Sequence, residues 1–153
     1  MFSLEGMTAA ITGGTSGIGE AVAARFVAAG ARVVIIGRRD GAEVARKLGA
    51  VAAVRADCSQ EREIARALQE VRDLLGEDLD VLVNNAGIEN TGPLIADATG
   101  EELNRIFAIN TFAVFHGLKY GQALLKDGAS VINTASIAAD LGVKVFIHQQ
   151  LLP

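Results

Sequence analysis

Short apolar runs alternate along this chain with longer stretches of helical period. Runs such as "VVII" at 33–36 and "VLVN" at 81–84 carry apolar residues at successive positions, so the strands they predict are covered on both faces. The pattern predicts strands over 7–12, 32–36, 51–56, 79–84 and 129–135, with helices over 17–29, 41–48, 60–75 and 100–126. Gly30, Gly49, Gly76 and Gly128 each fall where a helix should stop and the chain turn through positive φ. Such alternation stacks βαβ units on a parallel sheet, which predicts an α/β sandwich. No tandem repeat or low-complexity linker interrupts it.

Composition narrows the picture. The 153 residues, 50% apolar and 21% charged, suit one domain with a real core and leave no room for a second. A net charge of -4 with the signs interleaved argues against nucleic acid or an anionic membrane as partner, so the ligands should be small molecules. Cys58 is the only cysteine; it permits no disulfide framework and reads as a small buried hydrophobe before a reactive thiol. "MFSLEGMTAA" has no basic start and no continuous apolar stretch, and no run approaches the ~20 residues of a membrane helix, so a cytoplasmic location is expected.

Candidate chemistry clusters where strands end. "TGGTSGIGE", Thr12 to Glu20, lies between the first strand and the first helix with the spacing T-G-x-x-x-G-x-G. Glycines there permit a tight turn and let backbone N–H groups approach a pyrophosphate, while the helix N-terminus adds positive potential. After the second strand, where an acid would meet ribose hydroxyls, stand Gly37, Arg38 and Arg39. An arginine can bond a 2′-phosphate that an acid would repel, so NADP is expected in preference to NAD; solvated surface arginines are the alternative. "DCS" at 57–59 and "NNAG" at 84–87 end the third and fourth strands, at the edge where ligands bind in open α/β sheets. Asp57 could accept from an adenine amino group or cap the next helix, as Ser59 also could; the asparagines could line a ligand or make a turn.

TGGTSGIG, NNAG, the "FAIN" that carries Asn110 and the "VINTAS" that ends at Ser136 together resemble the short-chain dehydrogenase/reductase family, over residues 1 to about 143. The resemblance implies a doubly wound, Rossmann-like parallel sheet of order 3-2-1-4-5 that moves a hydride between NAD(P) and an alcohol or carbonyl. It implies that Gly13, Thr15, Ser16, Ile18 and Gly19 line the pyrophosphate and ribose. Arg38, with Arg39 beside it, meets the 2′-phosphate; Asp57 and Cys58 flank adenine; Asn85, Ala86 and Gly87 border the cofactor further along. Ser136 matches the serine that bonds the substrate oxygen, and Asn110 the asparagine that anchors a water in the proton relay. A strand-end cap and a helix-bending polar residue are the plainer roles for these two. No metal is expected.

The family's Tyr-x-x-x-Lys, which moves the proton and tunes it, would fall near His148 to Pro153, where there is neither tyrosine nor following lysine. Tyr120, the only tyrosine, precedes Ser136 within the predicted fourth helix and cannot take that role. His148 reads as an exposed tail residue and Lys144 as solvated. Residues 1–143 are therefore expected to form an incomplete NAD(P)-binding domain, cut off after its fifth strand, with 144–153 an atypical tail. A truncation and a reading-frame shift near Val145 both account for it; Phe146 to Leu152, back-translated and read one base later, permits a serine-rich lead into a tyrosine. The expected function is NADP-dependent oxidoreduction of a carbonyl or secondary alcohol, the alternative a dinucleotide-binding module without catalysis. A homo-oligomer is expected, because Ile106, Phe107, Phe112 and Phe115 on the fourth helix would lack part of their cover.

Overall fold

The computed structural model describes residues 3–88 and 97–136; the tail from 144, with Lys144 and His148, lies outside them. Five parallel strands, β1 (Thr8–Thr12), β2 (Arg32–Gly37), β3 (Ala52–Arg55), β4 (Leu79–Asn84) and β5 (Leu125–Asn133), form one sheet of order β3-β2-β1-β4-β5. Between them run α1 (Gly17–Ala28), α2 (Ala42–Leu48), α3 (Glu61–Leu75), α4 (Gly100–Phe107) and α5 (Ala113–Gly121). The architecture is the expected doubly wound, Rossmann-like one.

The continuous apolar runs divide their side chains between the two faces of the sheet. Val33 and Ile35 pack with Ala9, Ile11, Val81 and Val83 toward Ala23 of α1 and Ala45 of α2. Val34 and Ile36 pack with Ala10 and Leu82 toward Ile64, Leu68, Val71 and Leu75 of α3 and Ala113 of α5. Burial on both faces is why these strands show no polar alternation.

The chain after residue 100 departs from its sequence pattern. The helix predicted over 100–126 is broken by a π turn at Ala108–Phe112, passes through a 3₁₀ turn at Gln122–Leu124 and gives way to strand at Leu125. A Thr99–Glu102 capping box starts α4: the Thr99 hydroxyl accepts from the Glu102 N–H at 3.2 Å, and the Glu102 carboxylate accepts from the Thr99 N–H at 3.1 Å. Gly128 does not end a helix. It lies inside β5 at φ 80°, where the register with β4 jumps from Leu79↔Leu125 to Val81↔Ser130, so its positive φ serves a bulge. Of the four positions expected to lack part of their cover, Ile106 is buried and Phe107 half-buried, whereas Phe112 and Phe115 are exposed.

Candidate functional site

Loops leaving all five strands border one cleft of about 830 Å³ at the carboxyl edge of the sheet. That volume is within the range of about 300–1,000 Å³ usual for small-molecule and cofactor sites. Gly13, Thr15, Ser16 and Ile18 come from the β1 loop, Arg38 and Arg39 from β2, Cys58 from β3, Asn85, Ala86 and Gly87 from β4, Asn110 from the π turn and Ser136 from β5. The structure therefore brings together all but two of the residues singled out by sequence.

Gly13 shows how tightly this cradle is built. Its φ is 68°, and a Cβ there would lie 2.9 Å from both Ala86 Cα and Asn85 Nδ2. Any side chain would push the glycine-rich turn off the NNAG segment and fill the cradle. The neighbouring Gly14 N–H donates to the Ile36 carbonyl at 3.1 Å, which ties the turn to β2.

Gly19 is one of the two exceptions. It is buried inside α1, and a Cβ on it would strike the Gly13 carbonyl and the Asn85 amide. Its place is beneath the turn, where it lets α1 close on the strands, and not on the cleft wall. Asp57 is the other. Its Oδ1 accepts from the Ser59 N–H at 2.9 Å, and its own N–H donates to Glu63 at 2.7 Å, so it makes a side-chain turn ahead of α3. It borders a smaller hollow of about 230 Å³ that it shares with Arg38 and Arg105.

Thr12, buried at the end of β1, organises the opposite wall. Its hydroxyl accepts from the N–H groups of Asn85 and Ala86 at 2.9 and 3.0 Å, and the Asn85 amide donates to the Thr12 carbonyl at 3.1 Å. Thr134 continues the stitching, with its N–H on the Asn84 carbonyl at 2.9 Å and its hydroxyl on Asn85 Oδ1 at 3.2 Å. Sequence reasoning gave neither threonine a role. The available signal was a polar residue closing each apolar run, in "AAIT" and "VINT".

Asn110 holds the next corner. Its Oδ1 accepts from the Ile88 N–H at 2.8 Å and its Nδ2 donates to the Ile88 carbonyl at 3.1 Å, a two-point clamp on the segment that follows NNAG. The π turn that carries it is the kind of helix defect found at functional sites.

Charge in the cleft is one-sided. Arg38 and Arg39 are exposed, and among the described residues neither forms an ion pair. The Cys58 thiol is pushed up to about 12, first by burial and then by the neighbouring Asp57 carboxylate, which makes it an inert wall residue. Tyr120 is absent from the cleft lining; its hydroxyl donates to Glu61 Oε1 at 2.7 Å between α5 and α3.

A glycine-rich turn running into α1, an open cradle and a cleft at the carboxyl edge define a dinucleotide-binding domain of the Rossmann-like class. The chain belongs to the short chain dehydrogenase family, whose model matches residues 7–148. It is 36% identical over 147 residues to the NADP-dependent (R)-specific alcohol dehydrogenase of Lentilactobacillus kefiri, covering 91% of this chain and 58% of that one. It is 38% identical over 149 residues to the 3-beta-hydroxysteroid dehydrogenase of Comamonas testosteroni, covering 94% of this chain and 57% of the relative. Among solved structures, the Pseudomonas aeruginosa RhlG/NADP active-site complex superimposes with a TM-score of 0.87 at 33% identity, over 97% of this chain and 62% of that one. A blue fluorescent protein from a metagenomic library, in complex with NADPH, gives a TM-score of 0.86 at 32% identity, over 97% and 64%. The chain thus spans less than two thirds of each of these relatives.

Proposed function

We propose that this chain binds NADP(H) in the carboxyl-edge cleft and forms the cofactor-holding part of an oxidoreductase acting on a small carbonyl or secondary alcohol. The observation that carries the reading is the pair Arg38 and Arg39, exposed at the β2 end of the cleft and without an ion-pair partner among the described residues. Two guanidiniums without an ion-pair partner among the described residues, on the same cleft as the glycine-rich turn, suit the 2′-phosphate of NADP. The named NADP dependence of the Lentilactobacillus relative and the NADP and NADPH complexes among the structural neighbours support the same cofactor.

In this reading the Gly13–Ser16 backbone and the α1 N-terminus receive the pyrophosphate. Cys58 and Asp57 flank adenine, and Asn85, Ala86 and Gly87 border the ribose side. Bound NADPH supplies the hydride. Ser136 orients the substrate oxygen, and Asn110 keeps the Ile88 segment in place while anchoring a relay water. A cytoplasmic setting fits a chain whose one cysteine is buried, and among the described residues no helix is long and apolar enough to cross a membrane. The exposed Phe112 and Phe115 support a homo-oligomer, which light scattering would report.

One observation favours a second reading, a dinucleotide-binding module without turnover. Tyr120 is bonded to Glu61 away from the cleft, and residues 137–153, where the family's tyrosine would fall, contain no tyrosine. The two readings part in one assay of the 153-residue chain, NADPH oxidation with a panel of ketones and aldehydes. Binding without oxidation above a heat-killed control is the expected result. Oxidation that His148→Ala abolishes would give the proton-donating role to the tail instead.

A further inference from the structure

We infer that Gly117, on the helix behind the sheet, is a positioning residue that sets the spacing of the inner cleft wall; the inference rests on the cofactor reading above. Ala113, Gly117 and Gly121 are the buried positions of α5, and they bring its backbone close against β4. At Gly121 an added Cβ would meet only the flexible end of Leu82, at 2.7 Å. At Gly117 it would run into the Asn84 side-chain amide, with Oδ1 the nearest atom and Cγ at 3.1 Å.

Asn84 is a consequential neighbour. It is 3% exposed, the last residue of β4, and immediately precedes Asn85, Ala86 and Gly87 of the cleft. Its Nδ2 donates to Asn133 Oδ1 at 2.9 Å and its carbonyl accepts the Thr134 N–H at 2.9 Å, so one residue cross-links the ends of β4 and β5. Its Oδ1 is buried and has no hydrogen-bond donor among the described residues; it faces the Gly117 backbone instead. A buried carbonyl in that state is held by packing, and the absence of a side chain at Gly117 is what lets the amide keep the rotamer that reaches Asn133. Two residues beyond Asn133–Thr134 stands Ser136. Gly117 therefore governs the separation of Asn85–Gly87 from Ser136, the inner wall, without touching the cleft. The adenosine end is built on β2 and β3, which β1 separates from β4 and β5.

The test compares NADPH with adenosine 2′,5′-bisphosphate, which occupies the adenosine end alone, by calorimetry on the full chain. Gly117→Ala is expected to weaken NADPH about tenfold, to leave the bisphosphate within about twofold and to reduce the rise in NADPH fluorescence on binding. Asn133→Ala, at an exposed position, removes the partner of the Asn84 amide without adding a side-chain clash and should give the same discrimination at smaller size. Gly121→Ala should lower stability and leave the ratio of the two affinities alone. Equal losses for both ligands, or an unchanged ratio in Gly117→Ala and Asn133→Ala, would overturn the positioning role while the cofactor reading stands. Failure of the unaltered chain to bind NADPH would remove the cofactor reading and this role with it.

Discussion

The two edges of the sheet solve opposite problems with the same strands. At the amino edge the charges close on one another. Lys126 Nζ lies 2.8 Å from both Glu77 and Asp80, Arg32 reaches Glu77 at 2.8 Å, and Arg72 reaches Asp78 at 2.7 Å. Asp80 also accepts the Thr8 N–H at 2.8 Å and the Thr8 hydroxyl at 3.0 Å. Burial opposes its charge, but the bonds from Lys126 and Thr8 outweigh this and hold the carboxyl below its usual range. At the carboxyl edge the strand ends are joined by neutral groups, Thr12, Asn84, Asn85 and Thr134, and the two arginines of the cleft form no ion pair among the described residues. One edge satisfies itself and holds the sheet together. The other joins its strand ends through neutral groups and, in the proposed reading, keeps its cationic charge for a ligand.

Substitutions at the two edges should therefore fail in different assays. The largest effect belongs to Gly19→Val, whose side chain meets the Gly13 carbonyl and collapses the cradle from below. NADPH affinity should fall at least about a hundredfold with the far-UV circular dichroism still recognisable, and undiminished binding would refute the phosphate-turn assignment. Arg38→Asp comes next. It should reverse the preference for NADPH over NADH, with a change of about 1–3 kcal/mol read from the two dissociation constants.

At the amino edge, Asp80→Ala orphans the N–H of the fully buried Thr8. Chemical denaturation should show a loss of about 1–2 kcal/mol while NADPH affinity stays the same, and an equal loss of both would blur the contrast between the edges. The smallest effect lies on the outer helices, at Glu61. Hydrogen bonds from Lys119 and Tyr120 hold its carboxyl down to about 2 from an ordinary 4.5. A carboxyl depressed in the folded state contributes stability that is complete above about 4.5 and is lost as pH falls toward about 2. The melting temperature should thus decline across that window, and Glu61→Gln should flatten the decline without altering cofactor binding.

How far the sequence revealed these edges depended on how local the causes were. Every element from β1 to β4 lies within one residue of its prediction, because apolar runs and the helix-ending Gly30, Gly49 and Gly76 act over a few residues. After residue 100 the causes are distant. Asn110 reaches Ile88, Lys126 reaches Glu77 and Asp80, and Gly128 lies in the bulge between β4 and β5. A helical pattern through 126 carried no trace of the π turn or of the early strand. The candidate site was legible in its motifs, since Gly13, Arg38, Asn85, Asn110 and Ser136 border one cleft. The supports were not: Thr12, Thr134 and Gly117 act only through partners that folding brings to them.

The measurement closest to the centre of this account is a calorimetric titration of the unmodified chain with NADPH and with NADH under identical salt. Arg38 and Arg39, without an ion-pair partner among the described residues, predict one site at the β2 end, with NADPH bound more tightly by about 1–3 kcal/mol, and an advantage that shrinks as salt is raised. Equal affinity for the two cofactors, or no binding of either, would contradict it.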